Sequence, residues 1–137
     1  VIPERRSFTP EQANRTLPLV RRIVTDIVEQ FDRWREAVGA LELESATHTV
    51  AIPNPRAEEL EREIAGMARE IERFRQELTA LGVEFKDPEM GLVDFPSERD
   101  GRTVYLCWRL GEQEVDYWHE LTAGYAGRQP LDHRVIV

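Results

Sequence analysis

The chain has 137 residues, of which 41% are hydrophobic and 32% charged, with 18 basic and 26 acidic side chains and a net charge of −8. This length supports one domain with one core, and the apolar content is too high for a wholly disordered chain. A single cysteine, Cys107, excludes an internal disulfide framework and a multi-cysteine zinc site.

No apolar run approaches the ~20 residues that cross a bilayer, and no secretory signal is expected from the opening residues. The basic clusters Arg5-Arg6 and Arg21-Arg22 are only pairs, and residues 83–137 carry 6 basic and 11 acidic groups. That sign opposes phosphate binding, so nucleic acid is not an expected partner. An acidic excess suits a cation or a basic partner, or simply solubility.

Thr9-Pro10-Glu11-Gln12 is a helix start, with Thr9 as N-cap, Pro10 at the first helical position and Gln12 completing a capping box. A short N-terminal helix is expected to reach Leu17 and turn a corner at Pro18. Val20, Val24, Ile27, Phe31, Trp34, Val38 and Leu41 then alternate in steps of four and three, a heptad seam over three heptads, with the helix ending near Glu44. Residues 45–54 lose the period and read as a loop, with a short strand at 47–52 and a solvated His48.

Asn54-Pro55 opens a second helix with Glu58 and Glu59 in its positive first turn. Leu60, Ile64, Met67, Ile71, Phe74, Leu78 and Leu81 repeat the heptad spacing, and Gly82 is the natural stop. Two matched seams predict a long antiparallel helical hairpin, coiled-coil-like, with arms of roughly 35–40 Å. A two-helix hairpin leaves apolar flanks open, so a second copy of the chain is the expected partner.

Beyond Gly82 the period becomes two. Val83–Lys86 alternates like a strand, and residues 87–91 form a turn. Asp100-Gly101 between two alternating segments predicts a two-residue hairpin in which paired positions sum to 201. Val93, Phe95 and Ser97 then share a face with Trp108, Leu106 and Val104. Asp94 faces Cys107, Pro96 faces Tyr105, Glu98 faces Thr103 and Leu92 faces Arg109 on the other. Pro96 must point its nitrogen away from its partner strand. Val115, Trp118 and Leu121 stand at helical spacing, so Glu114–Leu121 reads as a short C-terminal helix. Residues 124–131 read as an ordered loop, and the tail from Asp132 as frayed or docked.

The expected fold is therefore α+β. A long helical hairpin follows a short N-terminal helix and precedes a small antiparallel β-sheet with a short C-terminal helix. All of it forms one domain, with a hairpin part at 9–82, a β-rich part at 83–131 and a tail at 132–137. The hairpin's polar face is the candidate site. Asp94, Glu98, Tyr105, Arg109 and Arg128 are candidate ligand-binding residues. Asp94, Glu98, His119 and Glu120 are candidate ligands for a divalent metal ion, since carboxylates and imidazole suit Zn²⁺, Mn²⁺ or Fe²⁺. Neighbouring His119 and Glu120 diverge on a helix, so at most one of them reaches Asp94. No second histidine follows to make a zincin motif. The alternative is that Asp94 pairs with Arg109 or Arg128 while His119 hydrogen-bonds a carboxylate. Cys107 with His119 suggests a nucleophile, or else a small buried hydrophobe in mid-strand.

Four blocks, Phe8–Leu19, Lys86–Pro96, Val104–Trp108 and Trp118–Leu131, resemble the family known as domain of unknown function 2203. The resemblance implies a bacterial, cytoplasmic protein and brings no activity, cofactor or catalytic residue. The function read from the sequence is a non-enzymatic homo-oligomeric scaffold or interaction protein. The alternative is a metal- or small-ligand-binding protein, an enzyme included, that uses the polar face.

Overall fold

The computed structural model describes residues 7–46 and 52–132. Helix α1 runs from Pro10 to Ala46 and helix α2 from Pro55 to Leu81. Strands β1 (Glu84–Asp87), β2 (Leu92–Arg99), β3 (Arg102–Arg109), β4 (Tyr117–His119) and β5 (Gln129–Pro130) follow, with one 3₁₀ turn at Tyr125–Gly127. The strands form a single antiparallel sheet in the order β1-β2-β3-β4-β5. Two helices packed against each other and against one sheet make the α+β class. No described helix is long and apolar enough to cross a membrane.

The helix starts follow the sequence. The Thr9 hydroxyl accepts from the Gln12 amide at 3.1 Å, and the Gln12 side chain accepts from the Thr9 amide at 2.9 Å. The Asn54 side chain caps α2 by accepting from Ala57 N–H, and Pro55 occupies the first turn. Gly82 adopts a left-handed φ of 87°, and Val83 N–H closes the helix end on the Leu78 carbonyl.

The expected corner at Pro18 is absent: α1 is one helix of 37 residues, with Pro18 inside it. A proline there removes one N–H but does not forbid the helix when tertiary contacts hold both sides. Ala13 and Leu17 are buried before it, and Val20, Ile23 and Val24 after it. Asn14 adds a clamp. Its carbonyl oxygen accepts from Val115 N–H at 2.7 Å, and its amide donates to the Pro10 and Val115 carbonyls.

That clamp also accounts for a second difference. Residues 114–121 do not form the expected helix; Tyr117–His119 is a strand, paired Tyr105 with His119, Leu106 with Trp118 and Cys107 with Tyr117. The Val115 N–H and C=O are committed to Asn14, and the Asp116 carbonyl accepts from Leu131 N–H. An α-helix over 114–121 would need the Val115 and Asp116 carbonyls for its own first turn. The free edge of β3 takes the aromatic run instead, and Leu121 ends up exposed. The expected loop at 124–131 contains the 3₁₀ turn and β5. The strand expected at 47–52 lies, apart from Ile52, outside the described residues, as do His48 and the tail beyond Asp132.

The β2–β3 register matches the sequence expectation at all eight pairs, from Leu92 with Arg109 to Arg99 with Arg102. Asp100 and Gly101 both take positive φ, 51° and 77°, as a two-residue turn of this hand requires. Pro96 turns its nitrogen and its carbonyl away from β3, and that carbonyl accepts from Phe8 N–H at 2.8 Å.

The core lies between the helices and one sheet face. Val20, Val24, Ile27 and Leu78 meet Val93, Phe95, Leu106 and Trp108, with Ile71 and Phe74 packed alongside. The helices outrun this core. At 1.5 Å per residue, α1 is about 55 Å long and α2 about 40 Å. Towards the Ala46 end, Phe31, Trp34, Val38, Leu41, Ile64 and Met67 are only half-buried.

Candidate functional site

Side chains alternate across a strand, so the residues that do not face the helices share the opposite face. The β2–β3 register sets Asp94 beside Cys107, and the β3–β4 register sets His119 opposite Tyr105 on that same face. Asp94, Cys107 and His119 converge there, each at most 4% exposed. One carboxylate oxygen, the thiol sulfur and one imidazole nitrogen lie within 4.8 Å of one another.

The hydrogen bonds define the protonation. The Nδ1 atom of His119 is 2.7 Å from the Glu120 carbonyl oxygen, which can only accept, so Nδ1 carries a proton. The Nε2 atom faces Oδ1 of Asp94 at 3.0 Å. In neutral imidazole this nitrogen is a lone pair, and it meets the lone pairs of a carboxylate. Two lone pairs at that separation need a cation between them, a proton or a metal ion.

The electrostatics agree with a crowded, dry centre. Burial pushes the Asp94 carboxyl above its ordinary value, against hydrogen bonding to His119 and the nearby charges of His119 and Lys86. The Cys107 thiol is pushed up to about 12, first by burial and then by the Asp94 carboxylate, while Arg128 pulls the other way. A thiol held protonated to that degree is not an activated nucleophile. His119, moreover, directs its two nitrogens at Glu120 and Asp94. The Cys107–His119 nucleophile is therefore not assembled.

A belt of aromatic and charged groups surrounds the three. The Arg128 guanidinium lies 3.9 Å from the Tyr117 ring centre and 4.4 Å from that of Tyr125. It pairs in a two-pronged contact with Glu112, at 3.0 and 2.7 Å, and its Nη1 is 4.0 Å from the Cys107 sulfur. Although burial opposes its charge, Glu112 and Cys107 keep Arg128 protonated beyond its ordinary value. Arg109 donates to the Tyr125 hydroxyl at 3.1 Å, and Lys86, paired with Glu84, lies over the Tyr105 ring.

The sequence-level candidates separate accordingly. Asp94 and His119 meet directly. Tyr105 lies on the same face, its ring 5.5 Å from the imidazole. Arg109 and Arg128 join the surrounding belt. Glu98 does not reach the centre: it is exposed and four residues further along β2, about 13 Å away. The Glu120 carboxylate turns outward to Arg102, and only its backbone carbonyl touches His119. Asp94 pairs with neither Arg109 nor Arg128; those arginines take Tyr125 and Glu112.

Cys107 is the member of this buried cluster missing from the sequence set of candidate metal ligands, although its signal was present in the hairpin register that placed it opposite Asp94. Glu112 is the other omission. It accepts from Arg109 N–H at 2.7 Å while holding Arg128, and no local pattern marks it.

The chain matches, over residues 6–131, the family described as uncharacterized conserved protein (DUF2203). It belongs to that family. No curated protein and no solved structure matches it at a significant level. The match spans both helices and the whole sheet, so the family domain contains every residue of the buried centre.

Proposed function

We propose that this DUF2203 protein binds a divalent metal ion at Asp94, Cys107 and His119. The observation that carries the reading is the His119–Asp94 contact. With Nδ1 fixed as the donor to a backbone carbonyl, Nε2 is the ring nitrogen left to face a carboxylate oxygen 3.0 Å away. A histidine ligated to a metal has this arrangement, because its second N–H is tied to a carbonyl that fixes tautomer and ring orientation. A proton in the gap serves two atoms; a metal ion serves three, since the Cys107 sulfur is within reach.

The mixed oxygen, nitrogen and sulfur donors select a borderline ion, zinc before magnesium or calcium. Coordination replaces the thiol proton, because a metal-bound thiol is deprotonated outright. Purified, untagged protein exposed to zinc and then dialysed is expected to hold about one ion per chain and to melt at a higher temperature than the stripped form. Retention below ~0.1 ion per chain, with no change in melting, overturns the reading.

A second reading, self-association, has its own support. Phe31 and Trp34 stack at 5.6 Å on the stretch of α1 that outruns the core, and they stay half-buried with Ile64 and Met67 on α2. On α2 the neighbouring charges are closed within the helix, Arg56 with Glu59, Arg73 with Glu70 and Arg75 with Glu72, and Arg35 of α1 pairs with Glu89 in the turn before β2. Such a surface offers little to a strongly charged partner and suits a second copy, in a four-helix arrangement. Sedimentation equilibrium at micromolar concentration is expected to give a dimer that Trp34→Glu dissociates. A wild-type monomer ends this reading and leaves the metal centre untouched.

A further inference from the structure

We infer that Arg128 is a positioning residue of the metal centre, capping the Cys107 sulfur so that it serves one ion as a terminal ligand. The inference rests on the proposed Asp94–Cys107–His119 centre and names a residue outside the ligand set.

Four contacts fix the guanidinium in place. Glu112 grips it from one edge with two parallel hydrogen bonds, at 3.0 and 2.7 Å. The Tyr117 and Tyr125 rings hold it at 3.9 and 4.4 Å, and Tyr125 is itself held through its hydroxyl by Arg109. The remaining direction of Nη1 points to the Cys107 sulfur at 4.0 Å. Arginine alone among cationic side chains offers a flat fork that can satisfy a carboxylate, lie against aromatic rings and still present an N–H to a third group. Glu112 balances its positive charge, so the centre gains a hydrogen-bond donor without gaining net repulsion against a cation.

The chemistry follows from the sulfur's lone pairs. A coordinated thiolate keeps electron pairs that can bridge to a second metal ion or take up an oxidant. An N–H directed at the sulfur engages one of these and lowers the energy of the sulfur electrons. Arg128 thus favours a single-ion centre and tunes the metal–sulfur bond, as outer hydrogen bonds do at metal sites.

Cobalt(II) tests this, because its bond to sulfur gives a charge-transfer absorption whose energy follows the sulfur's electron energy. Wild type titrated with cobalt is expected to show that band and to saturate at about one ion per chain. Arg128→Met should move the band to lower energy, and Arg128→Lys, which keeps a cationic donor, should restore part of the shift. Cys107→Ser should lack the band. If Arg128→Met does not fold, Glu112→Gln, which loosens the grip on the arginine, should give a smaller shift in the same direction. Bands that superimpose in wild type and the Arg128 or Glu112 variants overturn the role of Arg128 and leave the metal centre standing. A wild-type protein without the band removes the centre and Arg128's role together.

Discussion

His119 turns one ring nitrogen to its neighbour's backbone carbonyl and the other to the Asp94 carboxylate, at 2.7 and 3.0 Å. The two bonds compete for protons, because both acceptors are oxygen and neutral imidazole has a single N–H. Asp94→Asn is the cleanest probe. An amide N–H at that position donates to the imidazole lone pair, so the metal-free variant should stay within about 1 kcal/mol of wild type. Its melting temperature should no longer rise with zinc. Persistent zinc stabilisation in the variant, measured by thermal unfolding with and without the ion, contradicts the ligand assignment.

The thiol gives a pH dependence with a defined sign. The folded chain holds the Cys107 proton up to about 12, against an ordinary value of 9.0. Between these limits the unfolded chain has lost the proton and the folded chain has kept it, so unfolding becomes easier as pH rises. The stabilisation is complete below about pH 9 and gone above about pH 12. Denaturant midpoints of metal-stripped protein should fall across this window, and those of Cys107→Ala should fall less. The raised Asp94 carboxyl acts in the same direction from pH 3.8 upward. Parallel curves for wild type and Cys107→Ala count against a buried, protonated thiol.

Asn14 ties the first turns of α1 to the strand region through the Val115 backbone. Asn14→Ala leaves the buried Val115 amide without its acceptor, an expected loss of about 2 kcal/mol. Hydrogen exchange at the Val115 amide should accelerate alongside the fall in the denaturation midpoint. Unchanged exchange at that amide shows the clamp to be dispensable.

Gly91 sits at φ 63°, where an added Cβ would come within 2.7 Å of Leu110 Cβ and 3.0 Å of Val24 Cγ1. Gly91→Ala combines left-handed strain with overpacking, together about 3 kcal/mol. Chemical denaturation checks this, and a loss under about 0.5 kcal/mol shows that β2 and α1 separate easily there.

The sequence was most legible where short-range chemistry decides the structure. The Asp100-Gly101 turn fixes every pair of the β2–β3 ladder, and with it the juxtaposition of Asp94 and Cys107. The caps at Thr9, Asn54 and Gly82 work the same way. Long-range choices were not legible. Val115, Trp118 and Leu121 satisfy a helical period, but Asn14, 101 residues away, claims the Val115 backbone. His119 therefore reaches Asp94 from a strand and not from a helix. Pro18 likewise announces a break that the burial of Leu17 and Val20 overrides. The half of the site that comes from β4 depended on these distant contacts.

The sheet's margins have a consequence for how copies of the chain can meet. β1 has four residues and breaks register between Phe85 and Asp87. Past its end, the β2 margin is taken by the Phe8 backbone, which donates to Pro96 and accepts from the Ser97 hydroxyl. The other outermost strand has two residues, one of them Pro130, which has no N–H to offer. Among the described residues, neither rim presents an unbroken ladder, so growth by strand addition, the common route to fibrils, has no template here.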